Sequence, residues 1–261
     1  MTRICDRTGL ALVDGPGASV FRLATTSYGP LNPQLRESGD DVTGWARWDM
    51  PGRTVYAIDS RRAAFVESTS WARQERPRSA PAQLSRTAAA LGMTTEELAR
   101  EIDEDWGIGN GMNRGWLPAG WRDARRIYRL SFDPGWWVDI SHSNTLMAVS
   151  DGMREELYEL GVTLGLTLSE VTSDNRRLTT AIAAWLRESV TLDDDTLPTG
   201  IRFPSKHGRQ EDGAATCWAF WMRQADAGLE TTRVKADGGE PFDADDPDFA
   251  YALDLHNIEA R

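Results

Sequence analysis

The chain has 261 residues, 40% hydrophobic and 26% charged, and its 29 basic and 40 acidic side chains give a formal net charge of −11. That composition belongs to a folded globular chain and excludes disordered, collagen-like and membrane-embedded classes. At about 150 residues per domain, the length allows one large domain with an insertion or two small ones.

From the N-terminus, Met1 to Leu12 lacks the basic-then-apolar pattern of a secretory signal, so the cytoplasm is the expected address. After the Gly15-Pro16-Gly17 turn, residues 18 to 23 read as a strand, and 29 to 44 as a loop rich in Gly, Pro, Asn and Asp. Thr54 to Ile58 is predicted as a strand and Arg61 to Trp71 as a helix. Residues 74 to 122 read as an insertion with a helical hairpin, Ala82 to Ala90 and Thr95 to Ile102, the second helix capped by Thr94 or Thr95. Arg126 to Phe132 and Trp136 to Ile140 are two predicted strands, and Met153 to Leu160 and Arg176 to Val190 two helices. Asp193 to Asp195 reads as a solvated run, Gly200 to Ser205 as a loop, and Ala215 to Met222 as the last apolar strand. Residues 236 to 248 read as a mobile acidic segment, so 236–261 is expected to be a tail on a single domain spanning 1–261.

Several function classes are disfavoured. An acidic excess repels a polyphosphate backbone and no basic stripe opposes it, so a nucleic-acid partner is not expected. No apolar run approaches roughly 18 residues, so no membrane partner is expected. His142, His207 and His256 are far apart in sequence and Cys5 and Cys217 stand alone, so no metal site is proposed. Asp243 to Asp248 lacks the glycine and terminal glutamate of a calcium loop, and Gly107 to Gly115 lacks the Lys-Ser/Thr ending of a P-loop. Leu84 to Arg100 has the outline of a helix-turn-helix, but Glu96, Glu97 and Glu101 carry the wrong sign for a major groove. The insertion is read instead as a lid or a homodimerisation element.

Three polar residues sit in apolar or turn-like settings: Arg22 within Val20-Phe21-Arg22-Leu23, Glu67 within Ala63-Ala64-Phe65-Val66-Glu67, and Ser205 after Phe203-Pro204. Singly, each has an ordinary structural reading. Taken in order with their neighbours, they resemble the RES family, named for its Arg, Glu and Ser. The resemblance runs through Val20–Leu23, Gly44-Trp45-Ala46-Arg47-Trp48 with Pro51-Gly52, Val55-Tyr56-Ala57, Ala63–Glu67, Thr180–Trp185 and Gly200-Ile201-Arg202-Phe203-Pro204-Ser205. Trp45-Ala46 stands where a glycine pair is more usual.

The resemblance implies a mixed α/β (α+β) fold like that of ADP-ribosyltransferases, a mixed sheet flanked by helices, here with a helical insertion. It implies an enzyme that consumes NAD⁺ as substrate, cleaving the nicotinamide–ribose bond as a glycohydrolase or phosphorylase. It also implies a toxin paired with a helix-turn-helix antitoxin. On this reading Glu67, Arg22 and Ser205 are catalytic, while Arg47, Tyr56 and Trp48 bind substrate. The chemistry suits these residue types, because a leaving nicotinamide leaves positive charge on ribose that a fixed carboxylate stabilises, and guanidiniums suit the pyrophosphate. Two alternatives stay open: an ADP-ribosyltransferase acting on a specific protein or small-molecule acceptor, and a non-catalytic partner-binding protein.

Overall fold

The computed structural model describes residues 2–17, 19–73, 82–98, 100–101, 115–210 and 213–260. Its strands are β1 (Thr2–Ile4), β2 (Ala11–Asp14), β3 (Val20–Thr25), β4 (Thr54–Ile58), β5 (Trp116–Leu117), β6 (Arg125–Phe132), β7 (Trp136–Asp139), β8 (Gly200–Gln210), β9 (Gly213–Trp221), β10 (Val234–Ala236) and β11 (Glu259–Ala260). The longer helices are α1 (Arg61–Thr69), α2 (Ala82–Leu91), α3 (Ser143–Gly152), α4 (Arg176–Glu188) and α5 (Pro247–His256). Among the described residues nine strands form one mixed sheet in the order β1-β2-β7-β8-β9-β4-β3-β6-β10. All neighbours are antiparallel except β7 and β8, whose parallel pairing needs the long crossover that carries α3 and α4. The fold is thus mixed α+β, with a sheet flanked by helices.

Alternation along the strands divides their side chains between two cores. Tyr56, Ile58, Ile201, Phe203, Cys217 and Ala219 face α1, α4 and α5, where they meet Phe65, Leu178, Ile182 and Phe249. Val20, Val55, Ala57, Leu130, Trp137, Trp218 and Phe220 pack on the other face. Strand β3 pairs with β6 along its whole length but meets β4 at one position, Phe21↔Ile58. The sheet therefore splays between β3 and β4, on the stretch that carries Arg22 and Tyr56.

Thr54–Ile58 forms a strand as the spacing predicts, and helix α1 begins at Arg61 with Ser60 as its cap. Elsewhere the structure departs from the sequence reading. Gly200–Ser205 is not a loop but the first half of β8, a strand between β7 and β9, because both its neighbours supply backbone partners. Strands β1, β2 and β10 and helix α3 escape the periodicity reading; β1 and β10 have three residues each, too few to show a period. Asp193, Asp194 and Asp195 are not merely solvated. Arg3 pairs with Asp193 at 2.7 Å, Arg7 with Asp195 at 2.7 Å, and the Trp136 indole N–H donates to Asp194 at 2.9 Å.

The expected C-terminal tail is an integral helix. Asp246 caps α5 and takes two hydrogen bonds from Arg61, at 2.9 and 2.6 Å, while Asp248 pairs with Arg61 and Arg62. Phe242, Phe249 and Phe65 form a ring cluster with centroids 4.8 to 5.5 Å apart. The acidic run is therefore helix cap and ion-pair partner to α1.

In the insertion, α2 matches the first predicted helix and residues 95–98 are helical again. Thr94 and Glu97 cap each other: the Glu97 carboxylate accepts from the Thr94 N–H at 2.8 Å, and the Thr94 hydroxyl accepts from the Glu97 N–H at 3.2 Å. The glycine-rich stretch read at 107–115 lies outside the described residues except for Gly115. Strand β5 pairs in parallel with β11, joining the end of the insertion to the chain's last residues.

Candidate active site

A cavity of about 330 Å³ opens where β3 and β4 splay, at the lower end of the range for small-molecule sites. Arg22 from β3, Arg47 from the loop before β4, Tyr56 from β4 and Glu67 from α1 all line it. So do Phe203, Lys206 and His207 from β8, Cys217 from β9, and Asp174 and Arg176 at the start of α4. Four of the six residues singled out from sequence thus share one cavity, and a fifth, Ser205, bonds the carboxylate of one of them, Glu67.

Local backbone explains that convergence. Strands β8 and β9 pair from Gly200↔Phe220 to Pro204↔Thr216 and resume at Arg209↔Ala214, so Ser205 to Gly208 bulge out of register. The bulge aims a run of polar groups at α1. Glu67 Oε1 accepts from the Ser205 hydroxyl in a short hydrogen bond and from the His207 backbone N–H at 3.1 Å. The Ser205 oxygen in turn accepts from the Gly208 N–H at 2.6 Å. The carboxylate is held by two donors from one bulge.

Arg22 spans the gap in the sheet, its Nη1 donating to the Tyr56 carbonyl at 2.9 Å. Its Nε, the Nε of Arg47 and the Nη1 of Arg176 are buried without a hydrogen-bond partner among the described residues. Burial lowers the Arg22 guanidinium from its usual range, and burial together with the neighbouring Arg176 does the same to Arg47. Three guanidiniums with spare donors therefore crowd a cavity whose nearby counter-charges are few. Asp174 is committed to Lys206 at 2.6 Å and lies 3.5 Å from Arg176.

Asp49 organises the Arg47 loop. It is 5% exposed and accepts from the Tyr56 hydroxyl at 2.9 Å, the Ala46 N–H at 3.0 Å and Arg36 Nε at 3.0 Å. The Tyr56 oxygen also accepts from the Trp48 N–H at 3.0 Å, so the backbone N–H groups of both neighbours of Arg47 are pinned. Burial and the Asp49 carboxylate push the Tyr56 phenol well above its usual range. The Tyr56 hydroxyl is thus occupied within the protein and only the ring serves as a wall.

Trp48 is a correction to the sequence reading: it is fully buried, packs edge-on to Phe203 at 5.9 Å and does not line the cavity. Its bulk and apolar rings are better satisfied beneath the loop than beside a charged cavity. Sequence reasoning missed Asp49, Asp174, Arg176, Lys206 and His207. Lys206 and His207 directly follow the Pro204-Ser205 motif and were within reach of it; Asp174 and Arg176 carry no local signal, because only folding brings α4 to the mouth.

His207 and His256, distant in sequence, approach with ring centroids 6.3 Å apart. Burial lowers the His207 imidazole, with Lys206, His256 and Arg73 acting in the same direction and Glu67 opposing. His256 bonds the carbonyl of Val66, the residue before Glu67, at 2.8 Å. Burial pushes the Cys217 thiol well up, which keeps it protonated. Among the described residues no group of three or more His, Cys, Asp and Glu side chains is arranged to hold a metal, and no helix is long and apolar enough to cross a membrane.

No protein-family model matches the chain, and no curated protein matches it. Among solved structures, it is similar to a chain in the crystal structure of the M. tuberculosis MbcT–MbcA toxin–antitoxin complex, with a TM-score of 0.42 and 14% sequence identity. That similarity covers 91% of this chain and 88% of the other.

Proposed function

We propose that the protein is an enzyme that cleaves the nicotinamide–ribose N-glycosidic bond of NAD⁺. The observation that carries this reading is the joining of Arg22, Arg47, Tyr56 and Glu67 in one cavity, with Ser205 bonded to Glu67. Loss of neutral nicotinamide leaves an oxocarbenium-like ribose, and the partly buried Glu67 carboxylate faces that charge, where a fixed charge counts for more than in open water. Ser205 and the His207 N–H hold the carboxylate in place, so that its orientation need not be reorganised in the transition state. The spare donors of Arg22, Arg47 and Arg176 take the pyrophosphate, for which a guanidinium fork is better suited than an ammonium. The Tyr56 ring forms the wall against which nicotinamide stacks.

The group that accepts the ribosyl carbon names the reaction. Water gives a glycohydrolase, inorganic phosphate a phosphorylase, and a protein or small-molecule nucleophile an ADP-ribosyltransferase. A toxin role with a helix-turn-helix antitoxin as partner is the biological setting that the sequence resemblance implies, and it belongs to this proposal.

Nicotinamide release from NAD⁺ by the purified protein, with mass spectrometry of the product with and without phosphate, tests the reading. The wild type is expected to release nicotinamide. Glu67→Gln keeps an oxygen for Ser205 and the His207 N–H, so it is expected to fold normally and lose turnover by about 10²-fold or more. Equal release by that variant, or none by the folded wild type, overturns the proposal.

A further inference from the structure

A second cavity, of about 530 Å³, lies toward the start of β8 and the end of β9, away from the Phe203–His207 stretch and Cys217 that line the first. Trp136, Phe220 and Trp221 supply apolar walls, and Arg223 and Arg233 supply charge. Among the described residues both guanidiniums hydrogen-bond only to backbone carbonyls, and Arg223 also lies over the Trp221 ring at 5.3 Å. Arg223 donates to Arg187 O at 3.0 Å and Pro198 O at 3.2 Å, and Arg233 to Pro134 O at 2.9 Å. Neither is ion-paired with a carboxylate among the described residues, and burial, with Arg187 and Arg233 adding to it, brings the Arg223 guanidinium down to about 10 despite Glu188 and Asp226.

The same cavity is lined by a buried polar side chain, Thr199. Among the described residues the Thr199 hydroxyl has no hydrogen-bond partner, although the residue is only 6% exposed. Gly135 makes room for it: a Cβ there would collide with the Thr199 hydroxyl and come within 3.0 Å of Arg233 Nη2. The two carboxylates on the lining are already committed. Asp194 accepts from the Trp136 indole at 2.9 Å and from Thr196, and Asp14 has an interaction of its own. Two cations that repel each other and an unbonded hydroxyl, set among aromatic rings, are complementary to an oxyanion attached to a small apolar body.

We infer that this cavity is a second ligand site, for a small molecule that carries a phosphate or carboxylate group, with Arg223 and Arg233 on the anion and the Thr199 hydroxyl completing its hydrogen bonds. The site is independent of the proposed NAD⁺ chemistry, since it shares no lining residue with the first cavity.

The test needs no turnover. Inorganic phosphate and acetate are titrated separately into the full chain at constant ionic strength, following the indole N–H resonances of Trp136 and Trp221. A saturable shift is expected with at least one anion, and the one that saturates at lower concentration assigns the head group. Arg233→Gln, at an exposed position, is expected to weaken binding about tenfold. Thr199→Val, which keeps the shape and loses only the hydroxyl, is expected to weaken it several-fold, while Arg47→Gln leaves it unchanged. No saturation with either anion, or an identical titration in Arg233→Gln, overturns the inference.

Discussion

Asp49 shows how one buried carboxylate sets the position of a cation it does not touch. Its oxygens collect the Tyr56 hydroxyl, the Ala46 N–H and Arg36, and the Arg47 loop is tied down at both neighbours. Asp49→Ala leaves these donors without an acceptor, and each buried unsatisfied group costs about 1–3 kcal/mol. The expected result in urea denaturation is a loss of at least about 2 kcal/mol, and, on the proposed function, a KM for NAD⁺ raised more than kcat is lowered, because Arg47 loses its pose. His207 sets a pH dependence. Its folded pKa lies below the unfolded value, chiefly because burial disfavours the charged ring. The unfolded chain then binds the extra proton first, so stability from this group is present above the unfolded value and falls as pH drops through the interval below it. Urea midpoints measured at neutral and mildly acidic pH should show a smaller acid loss in His207→Gln than in the wild type; an equal loss in both would assign the effect elsewhere.

At the scale of elements, the site depends on how closely the β8 bulge approaches α1. Gly208 permits that approach, since a Cβ there would sit 2.8 Å from the Ala63 Cβ and 2.9 Å from the Ser205 oxygen. Gly208→Ala must push α1 away or move Ser205, at a cost of about 1–3 kcal/mol for overpacking. Turnover should fall further than stability does, because Glu67 is displaced from its two donors. Adding Ala63→Gly removes the nearest clash and should restore part of the turnover in a nicotinamide-release assay, even though a helical glycine costs about 1 kcal/mol in stability. The bulge also explains why Gly200–Ser205 reads as a loop: Pro204 cannot donate to a ladder and the polar run after it breaks alternation. Backbone partners from both neighbouring strands override those local signals.

At the scale of the whole molecule, helix α5 braces α1, the helix that carries Glu67. Arg61 and Phe65 of α1 meet Asp246, Asp248, Phe242 and Phe249, and His256 bonds the Val66 carbonyl one residue before Glu67. A mobile tail would tolerate the loss of any of its side chains. Phe249, fully buried, should not: Phe249→Ala is expected to cost about 3–5 kcal/mol in denaturant unfolding.

How far the residues alone carry this protein follows from the range of the forces involved. Strand β4, helix α1 with its Ser60 cap and the Thr94–Glu97 cap were legible because propensity, capping and alternation act over a few residues. Arg22, Glu67 and Ser205 stand out singly only as polar residues in apolar or turn-like settings, and as a set only through the resemblance to the RES family. Their meeting was not local. Strands β3 and β4 splay because β3 is held along its length by β6 while β4 is held by β9, and the gap between them is the cavity. Arg176 and Asp174 reach its mouth only because the β7–β8 crossover lays α4 there, and Trp48 goes under the loop because packing favours burial of its rings. Local chemistry lies within a few residues of chain, whereas the cavity and the second cation-lined pocket are products of long-range contact, which only the tertiary structure decides.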